Sequence, residues 1–156
     1  LKIKYKIIEN ERVEDAPFIG ALISAIDCNF NCKNCFNQHI KQLPILVKED
    51  IAIIEEIKSN PFNKGIIFGG LEWSLQPTEL FSLALVAHGY GLQTMLYTGN
   101  TFEYLQEYCS IRYLNDYFDY IKCGQYEEDL KTINHIEYGV TLSSNNQHIY
   151  KNGIDY

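Results

Sequence analysis

The stretch Phe18-Ile19-Gly20-Ala21-Leu22-Ile23-Ser24-Ala25-Ile26-Asp27-Cys28-Asn29-Phe30-Asn31-Cys32-Lys33-Asn34-Cys35 decides how this chain is read. Its first half, Phe18 to Ile26, is almost continuously apolar, the pattern of a strand covered on both faces in a parallel sheet. Its second half places three of the five cysteines within eight residues, spaced four and then three apart. Thiolate sulfurs are soft anionic ligands for iron or zinc, and a short loop carrying three of them wraps one corner of a metal centre at little ordering cost. A structural zinc site is closed by a fourth ligand, usually through paired C-x2-C knuckles or a Cys/His pair. Here the fourth-ligand candidates are His39, which is close, and Cys109 and Cys123, which are distant and belong to no knuckle. Three cysteines without an obvious fourth match a cubane held by three thiolates, with one iron left open for a small molecule. The loop also follows the carboxyl end of a buried strand, where α/β proteins collect their active sites.

Working outward, a chain of 156 residues is expected to form one domain, residues 1–156, and to bury about two-thirds of its unfolded surface. Apolar residues at 46% and charged residues at 21% give the profile of a soluble globular protein and exclude a disordered one. No apolar run approaches the ~20 residues that span a bilayer, and the first residues lack the basic-then-apolar pattern of a signal peptide. Five cysteines are an odd number for a disulfide framework, and their clustering suits a reducing compartment. The expectation is a cytoplasmic protein with no membrane contact. A net charge of −7 argues against binding nucleic acid through its phosphates.

Leu1, Ile3, Tyr5 and Ile7 alternate with Lys2, Lys4 and Lys6, which predicts a half-exposed edge strand with its lysines on the solvent face. A polar link, Glu9 to Asp15, leads into the buried strand. Isoleucines 51, 53, 54 and 57 at helical spacing predict a helix over 49–58, stopped by Asn60-Pro61. Gly65 to Gly70 reads as a short buried strand, Pro77 to about Gly89 as a second helix, and Leu92 to Tyr97 as the next strand. Thr101 caps a helix to Tyr108, and Tyr117 to Lys122 is a further strand. Strand and helix alternate about five times, which implies a mainly parallel sheet with right-handed crossovers. Five strands are too few to close a (β/α)8 barrel. The fold expected is therefore α/β, an incomplete open (β/α) barrel.

Several landmarks then fall in the order of one family. The C-x3-C-x2-C spacing of Cys28, Cys32 and Cys35 resembles the signature of the radical S-adenosylmethionine superfamily. The third cysteine is followed by Phe36 and Asn37, one strand ends in Gly69-Gly70-Leu71-Glu72-Trp73, the next in Tyr97-Thr98-Gly99, and the C-terminal region carries Ser143-Ser144-Asn145-Asn146-Gln147. Together these resemble the activating enzymes of anaerobic ribonucleotide reductase, over most of the chain from about Phe18 to Tyr150.

The resemblance implies a [4Fe-4S] cluster on Cys28, Cys32 and Cys35, whose open iron binds the methionine end of S-adenosylmethionine. It implies cofactor contacts at Asn37, Gly69, Gly70, Glu72, Tyr97, Thr98, Gly99, Ser143 and Asn146, with Gln147 offering a further amide. The implied activity is reductive cleavage of the cofactor to a 5′-deoxyadenosyl radical, which generates a glycyl radical on a partner enzyme such as anaerobic ribonucleotide reductase. A flavodoxin- or ferredoxin-type protein would donate the electron.

The chain departs from that family in three places. Leu71 intervenes where relatives run Gly-Gly-Glu-Pro, which threatens to rotate Glu72 away from the pocket. Asn34 stands where many have glycine, a mild change because asparagine tolerates the left-handed backbone. Lys122 ends a strand that often ends in aspartate, which alters the charge of the pocket.

Two other readings stay open at this point: a radical S-adenosylmethionine enzyme acting on a small molecule, resembling the deazapurine-forming synthase, and a non-catalytic metal-binding module. Among the remaining residues, Cys109 reads as a half-buried apolar side chain and His39 as a surface histidine. Cys123 is ambiguous, and Trp73 either packs beneath the glycine turn or joins a docking face. Twelve tyrosines are compatible with a large contact surface.

Overall fold

A computed structural model of the chain describes residues 1–33 and 35–156. Asn34, and with it the left-handed backbone expected there, lies outside the described residues. The N-terminal alternation produces β1 (Lys2–Tyr5), with Ile3 and Tyr5 buried and Lys2 and Lys4 exposed. The third lysine departs from the solvent-face expectation. Lys6 lies just beyond the strand and is 8% exposed. Its ammonium donates to the carbonyls of Lys41 (3.1 Å) and Leu43 (2.5 Å), which satisfies a buried charge that alternation alone would have left in water.

Two strands follow, β2 (Ile8–Arg12) and β3 (Gly20–Ser24). Every residue of β3 is buried, as its unbroken apolar run requires. After the cysteine loop and a 3-10 turn at Gln38–Gln42, β4 (Leu46–Glu49) pairs antiparallel with β1 in a separate two-stranded sheet. Helix α1 (Asp50–Ser59) buries Ile53, Ile54 and Ile57 on one face and ends where Pro61 restricts Asn60 to extended backbone. Strand β5 (Gly65–Gly69) is again wholly buried. Helix α2 (Pro77–Gly89) starts with proline at its first position and buries Leu80, Leu83, Ala84 and Ala87, spaced three, four and seven apart from the first.

Strand β6 (Gln93–Thr98) leads to α3 (Phe102–Tyr108), whose first turn is capped by Thr101 Oγ1 accepting from the Tyr104 amide at 3.1 Å. A further helix, α4 (Ile111–Tyr117), occupies the start of the segment read as strand from Tyr117, so β7 is confined to Tyr120–Cys123. From Lys131 onward three strands follow: β8 (Lys131–Glu137), β9 (Val140–Ser144) and β10 (His148–Lys151). A two-residue turn with positive φ at Tyr138 (48°) and Gly139 (78°) joins β8 to β9, the twist that tight hairpins need.

The six-stranded sheet runs β10-β7-β6-β5-β3-β2. Its inner strands β3, β5, β6 and β7 are mutually parallel, while β2 and β10 add antiparallel at the two edges. This corrects the expected open (β/α) barrel with a mainly parallel sheet: the molecule has a mixed six-stranded sheet, two small two-stranded sheets and four helices among the described residues. The physical reason lies at the edges. The stretch taken as a polar link is held extended by Arg12, which bonds Asp15 (2.6 Å) and Glu9, and pairs antiparallel with β3 across a bulge. At the other edge β10 folds back on β7, pairing Ile149 with Lys122, so both flanks of the parallel core are covered by reversed strands.

Side chains of the inner strands alternate between two apolar clusters. Ala21, Ile23, Ile66, Phe68, Leu96 and Ile121 face the helices, and Leu22, Ile67 and Met95 face Phe18 and the hairpin residues Val140 and Leu142. Phe68 meets Trp73 edge-on at 5.7 Å and Phe118 at 6.2 Å, so Phe68→Ala would cost about 3–5 kcal/mol as a cavity at the centre of the larger cluster. Among the described residues, no helix is long and apolar enough to cross a membrane.

Candidate metal centre

The site lies beyond the carboxyl ends of β3, β5, β6 and β7. Strand β3 hands over to the cysteine loop through three pins. The Ala25 amide donates to Gly69 O (3.3 Å), the Ile26 amide to Gln76 Oε1 (2.9 Å), and Asp27 O accepts from the Glu72 amide (2.9 Å). Residues 29–37 then carry no helix or strand among those described. Inside the loop the Cys28 amide donates to Asp27 Oδ1 at 2.8 Å, the Cys35 amide reaches Cys32 O at 3.4 Å, and Lys41 Nζ reaches Cys28 O at 3.4 Å.

Cys28, Cys32 and Cys35 are free thiols of intermediate exposure and line one cleft of about 590 Å³, measured to its open mouth. Burial pushes the Cys28 and Cys32 thiols up from their ordinary values, and for Cys32 the Gln125 side chain works against that rise. A cation would reverse the balance, since coordination to a metal deprotonates a thiol outright.

The donor set suits an iron–sulfur cluster better than a lone ion. Among the described residues, one set of three ligating atoms lies within 4.8 Å of one another, and it is elsewhere, at His135, Glu137 and His148. The three sulfurs are thus spread along the wall of the cleft. A single tetrahedral zinc, with Zn–S near ~2.3 Å, would draw them closer together. A cluster binds each thiolate at a separate iron and accepts the wider spacing.

The opposite wall is built from strand ends. Gly70 has φ of 77°, and a Cβ there would stand 2.5 Å from Ser24 Cβ, so glycine is required on both counts. The turn it makes, with the Leu71 amide on Gly69 O at 3.0 Å, sends Leu71 into the core. This answers the concern over Glu72. Leu71 does not rotate the carboxylate out of the cleft, but the carboxylate is engaged: Oε1 accepts from the Gly99 amide (2.7 Å), and Oε2 from Thr98 Oγ1 (3.0 Å) and the Ser74 amide (3.1 Å). Glu72 is 3% exposed and braces the end of β5 to the end of β6. Gly99 sits under Phe30 of the cysteine loop; a Cβ would meet that ring at 2.7 Å.

Lys122 also lines the cleft, with its ammonium 4.3 Å from the centre of the Tyr97 ring. Burial pulls its pKa down to about 8, partly offset by Asp15. Tyr97 donates its hydroxyl to Asp15 O, and burial pushes that phenol far above its ordinary value.

Of the residues expected to contact cofactor, Asn37, Gly70, Glu72, Tyr97, Thr98 and Gly99 line this cleft with the three cysteines. Gly69 stands one residue behind, its Cα backed by the Tyr97 ring. Ser143 and Asn146 are not among the lining residues; Gln147 takes their place. Gln147 Oε1 accepts from the Ser143 and Ser144 amides, and its amide group donates to Gly124 O at 3.2 Å. Asn146 donates to Gln125 O at 2.7 Å and borders a neighbouring cavity that is also lined by Cys123 and His148.

Phe30, Gly124, Gln125 and Tyr126 also stand on the cleft wall, without any sequence motif that marks them. Phe36 of the loop lies against Tyr126 with ring centres 5.1 Å apart, a contact between residues far apart in sequence that no local pattern signals. Trp73 is fully buried beneath the glycine turn and donates to Ile23 O at 3.0 Å, which excludes it from any docking face. Cys109 is half-buried, as read, and His39 is exposed on the 3-10 turn. Cys123 is a core residue outside the cleft, its thiol pushed up by burial.

A cysteine-rich loop rooted at the end of a buried strand, beside a glycine turn and an open cleft, fits a protein of the single-cluster iron–sulfur class. The family profile described as "4Fe-4S single cluster domain" matches residues 20–150, most of the chain, and the protein belongs to that family. It is a family linked to radical S-adenosylmethionine enzymes. A comparison with curated proteins finds no match.

Proposed function

We propose that this protein is a radical S-adenosylmethionine enzyme of the activase type, and that its partner is a glycyl radical enzyme, anaerobic ribonucleotide reductase being the first candidate. One observation carries the reading: the three thiols, the Gly70 turn, the Tyr97–Gly99 strand end and the Lys122 ammonium converge on a single cleft. The chemistry supplied by the bound cluster is one-electron reductive cleavage of S-adenosylmethionine to methionine and a 5′-deoxyadenosyl radical.

The residues supply binding and placement. Cys28, Cys32 and Cys35 would hold the cluster. Gly70, lacking a Cβ, lets backbone polar groups approach the amino group of the cofactor. Lys122 offers its ammonium to the methionine carboxylate, and the low-dielectric wall that lowers its pKa also strengthens that pairing. Glu72, already committed to three donors, holds the rim in shape and leaves cofactor binding to its neighbours. Selectivity for one glycine Cα must come from docking, and the open cleft, with the exposed Phe36 against its lining residue Tyr126, is accessible to a partner loop. The electron would arrive from a flavodoxin- or ferredoxin-type donor.

The test is anaerobic. Protein reconstituted with iron and sulfide is reduced in the presence of S-adenosylmethionine, and 5′-deoxyadenosine and methionine are measured by chromatography. A glycyl radical signal should then appear on anaerobic ribonucleotide reductase. Cleavage without any transfer to a protein would turn the reading toward a small-molecule substrate, and absence of cleavage in cluster-loaded protein would sink it.

A further inference from the structure

We propose a second metal site, independent of the cysteine loop and of the activity proposed above: a zinc-type divalent cation held by His135, Glu137 and His148. His135 and Glu137 lie two apart on β8 and so share one face of that strand, while His148 opens β10, which belongs to the main sheet. Their ligating atoms all lie within 4.8 Å of one another. His135 Nε2 is 2.6 Å and His148 Nδ1 2.9 Å from the same carboxylate oxygen, Glu137 Oε2.

The surroundings hold two of the three groups, Glu137 and His135, from behind. The other oxygen of Glu137 accepts from the Ile149 amide at 2.8 Å, and the other ring nitrogen of His135 faces Ser144 O at 3.4 Å. This is the arrangement that orients metal-binding imidazoles, with the distal N–H on a backbone carbonyl and the free lone pair turned to the ion. A neutral imidazole carries one N–H, and His135 faces two acceptors. With that N–H on Ser144 O, the Nε2 lone pair points at a carboxylate oxygen. A cation seated there would be coordinated by both.

Two imidazoles and one carboxylate form a borderline-soft N/N/O set that favours zinc and its neighbours over calcium or magnesium, with a fourth position left to water. The ion would tie the β8–β9 hairpin to the edge strand β10. That clamp fixes the Asn145–Gln147 turn between β9 and β10, and Gln147 lines the cluster cleft.

Zinc would also bind free thiols, so the test separates the two places. In the full chain carrying Cys28→Ser, Cys32→Ser and Cys35→Ser, calorimetric titration with zinc chloride should give one site. Adding Glu137→Gln, or His148→Ala at a side chain 51% exposed, should weaken that site at least ~10-fold. X-ray absorption at the zinc edge, on the unsubstituted chain loaded with its cluster, decides the matter even if the serine background fails to fold. A nitrogen/oxygen shell near ~2.0 Å containing two imidazoles is expected, whereas a sulfur shell near ~2.3 Å overturns the site. No saturable zinc binding, or affinity unchanged by both substitutions, overturns it equally.

Discussion

The cysteine loop and the His135–Glu137–His148 cluster hold their ligands in opposite ways. The loop has no helix or strand among its described residues 29–37 and few hydrogen bonds of its own, so its shape is borrowed from the strand ends around it. The second cluster sits on regular strands, with His135 and Glu137 each backed by a backbone partner already in place. A loop that waits for its metal can leave one corner exposed to a small molecule and to a docking partner; a cluster fixed on two strands can do little except clamp them. On the readings proposed above, the contrast would separate a site suited to chemistry from one suited to rigidity.

The largest effect should come from the loop. Cys32→Ala is expected to remove most of the bound iron and to lower S-adenosylmethionine cleavage at least ~100-fold, read by iron analysis and product chromatography. His148→Ala should leave both nearly unchanged. Iron loading that survived at Cys32 but fell at His148 would invert the comparison.

Next comes the brace. Glu72→Gln removes the charge from a buried acceptor serving Ser74, Thr98 and Gly99, and should cost about 2–3 kcal/mol in urea unfolding. An unchanged midpoint would mean that the rim does not depend on it.

Lys122 gives a smaller, pH-dependent effect. Its ammonium is the form that attracts a carboxylate, so cofactor affinity should be full below the folded pKa of about 8 and fall as pH rises through it. Lys122→Met should lower affinity by about tenfold and abolish that dependence between pH 7 and 9, measured by calorimetry on cluster-loaded protein. The same pH profile in wild type and variant would remove Lys122 from cofactor binding.

The smallest effect is dynamic. Without metal, amides in 29–33 and 35–37 should exchange with solvent far faster than those of β8 and β10. Cluster loading should slow the loop and leave the strands as they were, as read by hydrogen exchange.

The same contrast governs how much the sequence reveals. Three thiol ligands in one short run are visible at once, and β3 and β5 are legible because unbroken apolar runs have one common explanation, burial on both faces. Helices α1 and α2 follow equally plainly from the spacing of Ile53, Ile54, Ile57 and of Leu80, Leu83, Ala87. Strand β2 is hidden because its residues are polar and its pairing rests on Arg12 holding acids on either side. Missing that strand and β10 is what turned a mixed sheet into an expected barrel. Glu72 could be placed near the rim from its neighbours, but its role as a brace depends on Thr98 and Gly99, twenty-six and twenty-seven residues away. His135 and Glu137 look like ordinary polar positions on a half-exposed strand until β10 brings His148 beside them.

The central claim is that Cys28, Cys32 and Cys35 hold a four-iron cluster with one iron free for a ligand. Electron paramagnetic resonance of the reduced, anaerobically reconstituted protein, with and without S-adenosylmethionine, tests it most directly. The account predicts about four irons per chain and a cluster signal whose shape changes when the cofactor is added. A single tightly held zinc with no sulfide, or a cluster signal indifferent to the cofactor, would contradict it.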